Sequence, residues 1–139
     1  MNKVLFDTNV VLDALLSRPG FWEPAARLLS KLDRGELDGF LCATTVTTIH
    51  CIGRKQVGTR RTEREIERLL KLFEVAPVDG SVLQRALRAG FADYEDAVVS
   101  QAAQRVGAEA IVTRNAKDFR KSPLRIYSPD ELLALLKAS

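Results

Sequence analysis

The stretch that most constrains this chain is Val4-Leu5-Phe6-Asp7-Thr8-Asn9. An apolar run closing on a polar triplet reads as a buried parallel strand, Asn2 to Phe6. From Val10 to Leu16 the apolar residues recur at helical spacing, so strand gives way to helix, Thr8 to about Ser17, at the triplet itself. In an open α/β sheet, ligands bind in the crevice beyond the carboxyl ends of the strands. Asp7 stands at such an end. Asp, Thr and Asn are also favoured helix N-caps, so starting the helix is a competing role for the triplet.

The rest of the chain keeps alternating. After the turn Arg18-Pro19-Gly20, a helix from Phe21 to Asp33 carries Ala25, Ala26, Leu28, Leu29 and Leu32 along one side. Phe40 to Ala43 is the second strand. Thr44 to Gln56 has strand-favouring threonines, but its length predicts a helix beginning at Thr44 or Thr45. Thr59 to Phe73 is amphipathic, with Ile66, Leu69, Leu70 and Phe73 inward and a capping box at Thr62 through Glu65. Val75 to Val78 is a strand placed near an edge by Pro77. Helices follow at Ser81–Gly90 and Asp93–Val106, the second with an Ala/Val-rich face suited to close packing and with Gly107 as its C′ residue. Strands at Ala110–Thr113 and Leu124–Tyr127 precede a last helix opened by Ser128-Pro129-Asp130-Glu131, with Pro129 at the first helical position. No repeat, low-complexity run or linker interrupts this order. The expectation is one α/β domain over residues 1–139, a central parallel sheet of about five strands flanked by helices and joined by right-handed crossovers.

Composition narrows the function classes. With 46% apolar and 28% charged residues, the chain has the balance of a globular protein. No apolar run approaches the ~18 residues of a membrane span. A strand under way by Val4 leaves no room for a signal peptide. Cys42 and Cys51 are too few for a disulfide framework or a cysteine metal site, and reduced thiols in a cytoplasmic protein are expected. The net charge of +3 suits a polyanionic partner without specifying one.

Carboxylates or their amides recur beyond strand ends. Besides Asp7 there is Asp93-Tyr94-Glu95-Asp96, where Asp93 and Asp96 share a face in the first turn of a helix. There is also Arg114-Asn115-Ala116-Lys117-Asp118, directly after the fourth strand. Each has a structural role open to it: Asp93 and Asn115 as N-caps, Asp96 as an acid favoured by the helix dipole, Asp118 at a third helical position. If strands one and four are neighbours at the sheet centre, however, these groups converge. Clustered carboxylates repel, and one then holds a raised pKa. A divalent cation removes that penalty, and hard oxygen ligands suit Mg²⁺ or Mn²⁺.

At this point the chain resembles the PIN-domain family, the metal-dependent ribonuclease fold found in the toxin half of VapC-type toxin–antitoxin pairs. The likeness covers nearly the whole chain. It rests on Val4-Leu5-Phe6-Asp7-Thr8-Asn9, on Asp93-Tyr94-Glu95-Asp96-Ala97, and on Ile111 to Phe119. The resemblance implies a Mg²⁺ or Mn²⁺ site with Asp7 and Asp96 as core acids and Thr8, Asn9 and Thr113 in support. Asn115 stands where many members carry a further Asp, with Asp93 and Asp118 as neighbouring acids. It also implies RNA as substrate, a cognate antitoxin as partner, and a homodimer. One departure is plain. Members usually carry a glutamate in the helix after the second strand, whereas here the position falls on or near His50, and no acid lies between Asp38 and Glu63. The single histidine is therefore a candidate for contact with metal, water or phosphate. The basic run Arg54, Lys55, Arg60 and Arg61, with Arg64 beyond it, is the candidate RNA-binding surface.

The leading expectation is thus a cytoplasmic Mg²⁺- or Mn²⁺-dependent endoribonuclease, with Asp7, Asp96, Asp93, Asn115, Asp118 and His50 at its site. The alternative is a weakened PIN-fold module that binds RNA or protein without a complete acidic site. A phosphotransferase whose first strand also ends in Asp needs a second Asp two residues on, and Asn9 occupies that position.

Overall fold

Five short strands, each apolar where it is covered, build one parallel sheet in the order β3-β2-β1-β4-β5 in the computed structural model, which describes residues 2–138. The terminal Met1 and Ser139 of the expected span lie outside the described residues. The strands are β1 (Lys3–Phe6), β2 (Asp38–Cys42), β3 (Glu74–Ala76), β4 (Ala110–Val112) and β5 (Arg125–Tyr127). Seven α-helices and one short 3₁₀ helix (Ala116–Phe119) connect and follow them: α1 (Thr8–Leu15), α2 (Trp22–Asp33), α3 (Ala43–Val57), α4 (Thr59–Leu72), α5 (Gly80–Leu87), α6 (Tyr94–Arg105) and α7 (Pro129–Ala138). The α/β class, the central β1–β4 pairing and the edge position of the third strand agree with the sequence reading, but β3 ends at Ala76, before Pro77.

Side-chain alternation along β1 divides the core. Val4 and Phe6 face one layer with Leu28, Leu41, Ile49 and Phe73, while Leu5 faces the other with Ile111, Ala102, Ala103 and Phe119. Both faces of the sheet are therefore covered, which is why its strands read as continuous apolar runs rather than as alternating ones. The small residues Ala97, Ala102 and Ala103 of α6 are buried, so the helix lies close on the sheet as its composition predicted. On the opposite layer Gly39 has no side chain where an added Cβ would fall 2.5 Å from Leu32 and 2.8 Å from Phe73.

One helix cap and one helix start differ from expectation. Thr62 does not open α4. Gly58, at φ +87, ends α3 and leads directly into Thr59, and the Thr62 hydroxyl donates back to the Gly58 carbonyl at 2.8 Å while its side chain packs on Gly53. The reciprocal box forms instead at α7, where the Glu131 N–H donates to Ser128 Oγ at 3.1 Å and the Ser128 N–H donates to Glu131 Oε1 at 2.8 Å. Helix α3 begins at Ala43, one residue before the expected threonines. Leu70, expected inward, is 46% exposed, while Leu69 and Phe73 are buried. Cys42 and Cys51 are both free thiols. Among the described residues no helix is long and apolar enough to cross a membrane.

Candidate metal-binding and catalytic site

The sheet order reverses between β1 and β4. Strands two and three extend to one side of β1, and strands four and five to the other. Such a switch point leaves a crevice at the carboxyl ends of the two central strands. Phe6 is paired with Val112, so the residues that follow them, Asp7 and Thr113, stand side by side. Asp7 donates its backbone N–H to the Val112 carbonyl at 3.0 Å, which extends the ladder one step past the strand.

The cap role weighed for Asp7 is realised, and its second oxygen is held as well. Its Oδ1 accepts the Thr8 N–H at 2.9 Å as the cap of α1, and its Oδ2 accepts the hydroxyl of the fully buried Thr113 at 2.8 Å. Thr113 Oγ1 in turn accepts the Asn115 N–H at 3.0 Å. The Thr8 and Thr45 hydroxyls bond at 2.9 Å, tying the same turn to α3. Thr8 and Thr113 therefore hold the turn and the carboxylate in place. Asn9 points to Arg18, whose Nη1 donates to its Oδ1 at 3.1 Å.

The second acidic group arrives on α6. Asp93 is its N-cap, accepting the Asp96 N–H on Oδ1 at 3.2 Å, and this fixes Asp96 in the first turn. Partial burial pushes the Asp96 carboxyl up to about 7, with repulsion from Asp93, Asp7, Asp118 and Glu95 adding to it. Burial likewise raises Asp7 above its ordinary value; the Thr113 and Thr8 bonds oppose the shift, and Asp118 and Glu95 reinforce it. Asp7, Asp93, Asp96 and Asp118 thus occupy one electrostatic neighbourhood, to which Glu95 also belongs. The sequence reading quoted Glu95 without giving it a role. Its place between Asp93 and Asp96 in Asp93-Tyr94-Glu95-Asp96 was the available signal.

The donor chemistry fits a hard divalent cation. Mg²⁺ is commonly held by one or two carboxylates with waters completing the shell. Asp7 and Asp96 supply such a pair; each is raised first by burial and further by neighbouring acids, whose repulsion a cation would relieve. Among the described residues no three His, Cys, Asp or Glu side chains come together as a ready ligand set. The site is sparse.

His50 lies elsewhere in this network. Its Nε2 sits 3.3 Å from Glu63 Oε2 on α4, within the helical hairpin of α3 and α4. Thr45, five residues earlier, is the α3 side chain that touches the β1–α1 turn. Arg54, Lys55, Arg60 and Arg61 are exposed where α3 passes into α4. Asn115 caps the 3₁₀ helix without a side-chain bond, and places Asp118 at that helix's third position.

A buried ion cluster escaped the sequence reading. Asp13, 1% exposed, accepts Arg114 Nε at 2.9 Å and Nη2 at 3.2 Å, and Arg18 Nη1 lies 3.3 Å from its Oδ1. The Arg114 guanidinium also stacks 4.2 Å above the Phe21 ring centre. An acid within Val10-Val11-Leu12-Asp13-Ala14-Leu15-Leu16 needed a cationic partner, and that was the missed signal.

The fold and site define a class: a parallel α/β domain whose acids crowd the switch point of its sheet. A PIN-domain family profile matches residues 3–117, and the chain belongs to that family. No curated protein is matched by its sequence. Solved structures share the fold. A toxin–antitoxin complex from Klebsiella pneumoniae superposes with TM-score 0.69 at 23% identity, over 91% of this chain and 97% of that one. FitAcB from Neisseria gonorrhoeae gives 0.69 at 21%, covering 91% and 97%. DNA-bound VapBC from Salmonella typhimurium gives 0.67 at 21%, covering 93% and 99%.

Proposed function

We propose that the chain is a metal-dependent endoribonuclease, acting in the cytoplasm as the toxin of a toxin–antitoxin pair. The observation that carries the reading is the crowding of Asp7 and Asp96, with Asp93, Asp118 and Glu95 near, at the sheet's switch point. Likeness to solved toxin–antitoxin assemblies supports the antitoxin as partner.

Asp7 and Asp96 would hold Mg²⁺ or Mn²⁺, with Asp93, Asp118 or Glu95 reaching it directly or through water. The bound ion would activate water and stabilise charge growing on a phosphodiester. Thr113 orients Asp7 by donating to its Oδ2, which leaves Oδ1 shared between the Thr8 cap and the crevice. Asp93 orients Asp96 through the first turn of α6. Asn115 adds a neutral donor and acceptor where many family members place an acid, so the site carries less negative charge. With His50 paired to Glu63, a supporting role for it at a distance, or with bound RNA, remains part of the proposal. A homodimer is proposed on family likeness.

The absence of a three-ligand set among the described residues favours a second reading, a PIN-fold module that binds RNA or protein without cutting. The deciding experiment is cleavage of a mixed pool of structured RNAs with Mn²⁺, with Mg²⁺ and with EDTA, for the wild type and for Asp7→Asn. We expect metal-dependent cleavage, abolished by the substitution with the fold intact. Cleavage unchanged by Asp7→Asn would sink the assignment, and RNA binding without cleavage under either metal would establish the second reading.

A further inference from the structure

Asp118 lines a cavity of about 320 Å³ that also carries three basic side chains. It lies between the loop leading into α6 (Gly90, Phe91, Ala92) and the segment after β4, where the 3₁₀ helix contributes Lys117 and Asp118 and the residues just past it Arg120 and Lys121. The three cations are exposed, and among the described residues none has its charge engaged in an ion pair or side-chain hydrogen bond. That is unlike Arg18, Arg105 and Arg114, each of which faces a carboxylate. The walls are anchored: Phe91 packs edge-on against the buried Phe119, ring centres 6.2 Å apart. Asp118 belongs to the cavity and also raises Asp7 and Asp96 by its charge. Acids and unengaged cations thus meet at one wall.

We propose that Lys117, Arg120 and Lys121 form a phosphate-binding subsite that holds the RNA backbone next to the scissile linkage, so that a phosphate flanking the cut is gripped while the cut phosphate faces Asp7 and Asp96. The inference rests on the ribonuclease reading and adds where the strand lies. Arginine grips phosphate oxygens in pairs and lysine acts as a point charge. Free cations beside an acidic crevice also offset the repulsion that those acids would exert on an incoming polyanion.

The test is equilibrium binding of the full chain to a fluorescein-labelled RNA with single-stranded loops, in EDTA so that cleavage does not intervene, across a salt series. Neutralising one single-strand phosphate contributes ~0.7 to the slope of log Kd against log salt, so the combined Lys117→Gln, Arg120→Gln, Lys121→Gln variant should be shallower than wild type by about 2. A control with Arg27→Gln, Lys71→Gln and Arg88→Gln, exposed charges elsewhere, should keep the wild-type slope. An unchanged slope in the folded cavity variant, or an equal loss in the control, overturns the subsite and leaves the ribonuclease reading standing. Loss of polyglutamate binding in the cavity variant with the RNA slope intact would make an acidic peptide the occupant, and overturns it too. Failure of the wild type to bind RNA in a salt-dependent way removes the reading beneath it.

Discussion

Asp96 carries the site's electrostatic strain. Its folded-state carboxyl titrates near 7, above the ordinary 3.8, so the folded chain holds that proton more tightly than the unfolded one. Stability from this group is fully present below about pH 4 and is lost as pH climbs toward 7. Asp96→Asn removes the penalty. The variant should be about 2 kcal/mol more stable than wild type at pH 8, allowing for partial solvation, and equal to it near pH 3.5. Urea unfolding at the two pH values measures this, and an equal gain at both would show that the strain is not ionic. At this scale the sequence was informative where a residue's place at the end of its element fixes where it stands. Asp7, Asp93 and Thr113 were legible because each follows a strand or opens a helix. His50 was not, because position along α3 does not say which way a ring turns, and Glu63 on the next helix takes it.

Among elements, the β1–α1 unit and the β4 loop are joined by Asp13 and Arg114, far apart in sequence and bonded through two nitrogens. A buried pair broken on one side leaves an uncompensated charge. Asp13→Ala should therefore cost about 3–5 kcal/mol, read as a lower urea midpoint at unchanged m-value. A loss below about 1 kcal/mol, the worth of an exposed pair, would mean that water reaches Arg114 freely. Most element types were legible from the pattern of apolar residues, whereas the threonine-rich segment at 44–56 was told from a strand by its length. Starts were less so. Ser-Pro-Asp-Glu at 128–131 and Thr-Glu-Arg-Glu at 62–65 both carry capping chemistry, but only the first has no helix already running through it. Gly58, at positive φ, ends α3 and leads straight into α4 at Thr59, so Thr62 lies inside the helix, where the missing side chain of Gly53 lets it approach α3.

For the whole molecule, ion binding and folding are linked. An ion at ten times its Kd adds about 1.4 kcal/mol to a state that alone binds it. For a domain of this size that raises Tm by about 5 °C. Mn²⁺ should produce such a rise in wild type at pH 8 and none in Asp7→Asn, measured by thermal unfolding; equal rises would place the ion elsewhere. The overall layering could be read from the alternation of elements, whereas the meeting of Asp118 with Asp7 and Asp96 required the strand order, which no local pattern states. That order also sets a timetable. Asp7 is made well before its partner, for the hydroxyl that holds it belongs to Thr113, 106 positions later. Strand β1 can pair with β2 early, but its other flank stays open until β4 has been made. A growing chain therefore has its first acid and no site. The crevice between β1 and β4 takes shape only once the chain through Thr113 has been made, and until then Asp7 stands without the strand and the hydroxyl that position it.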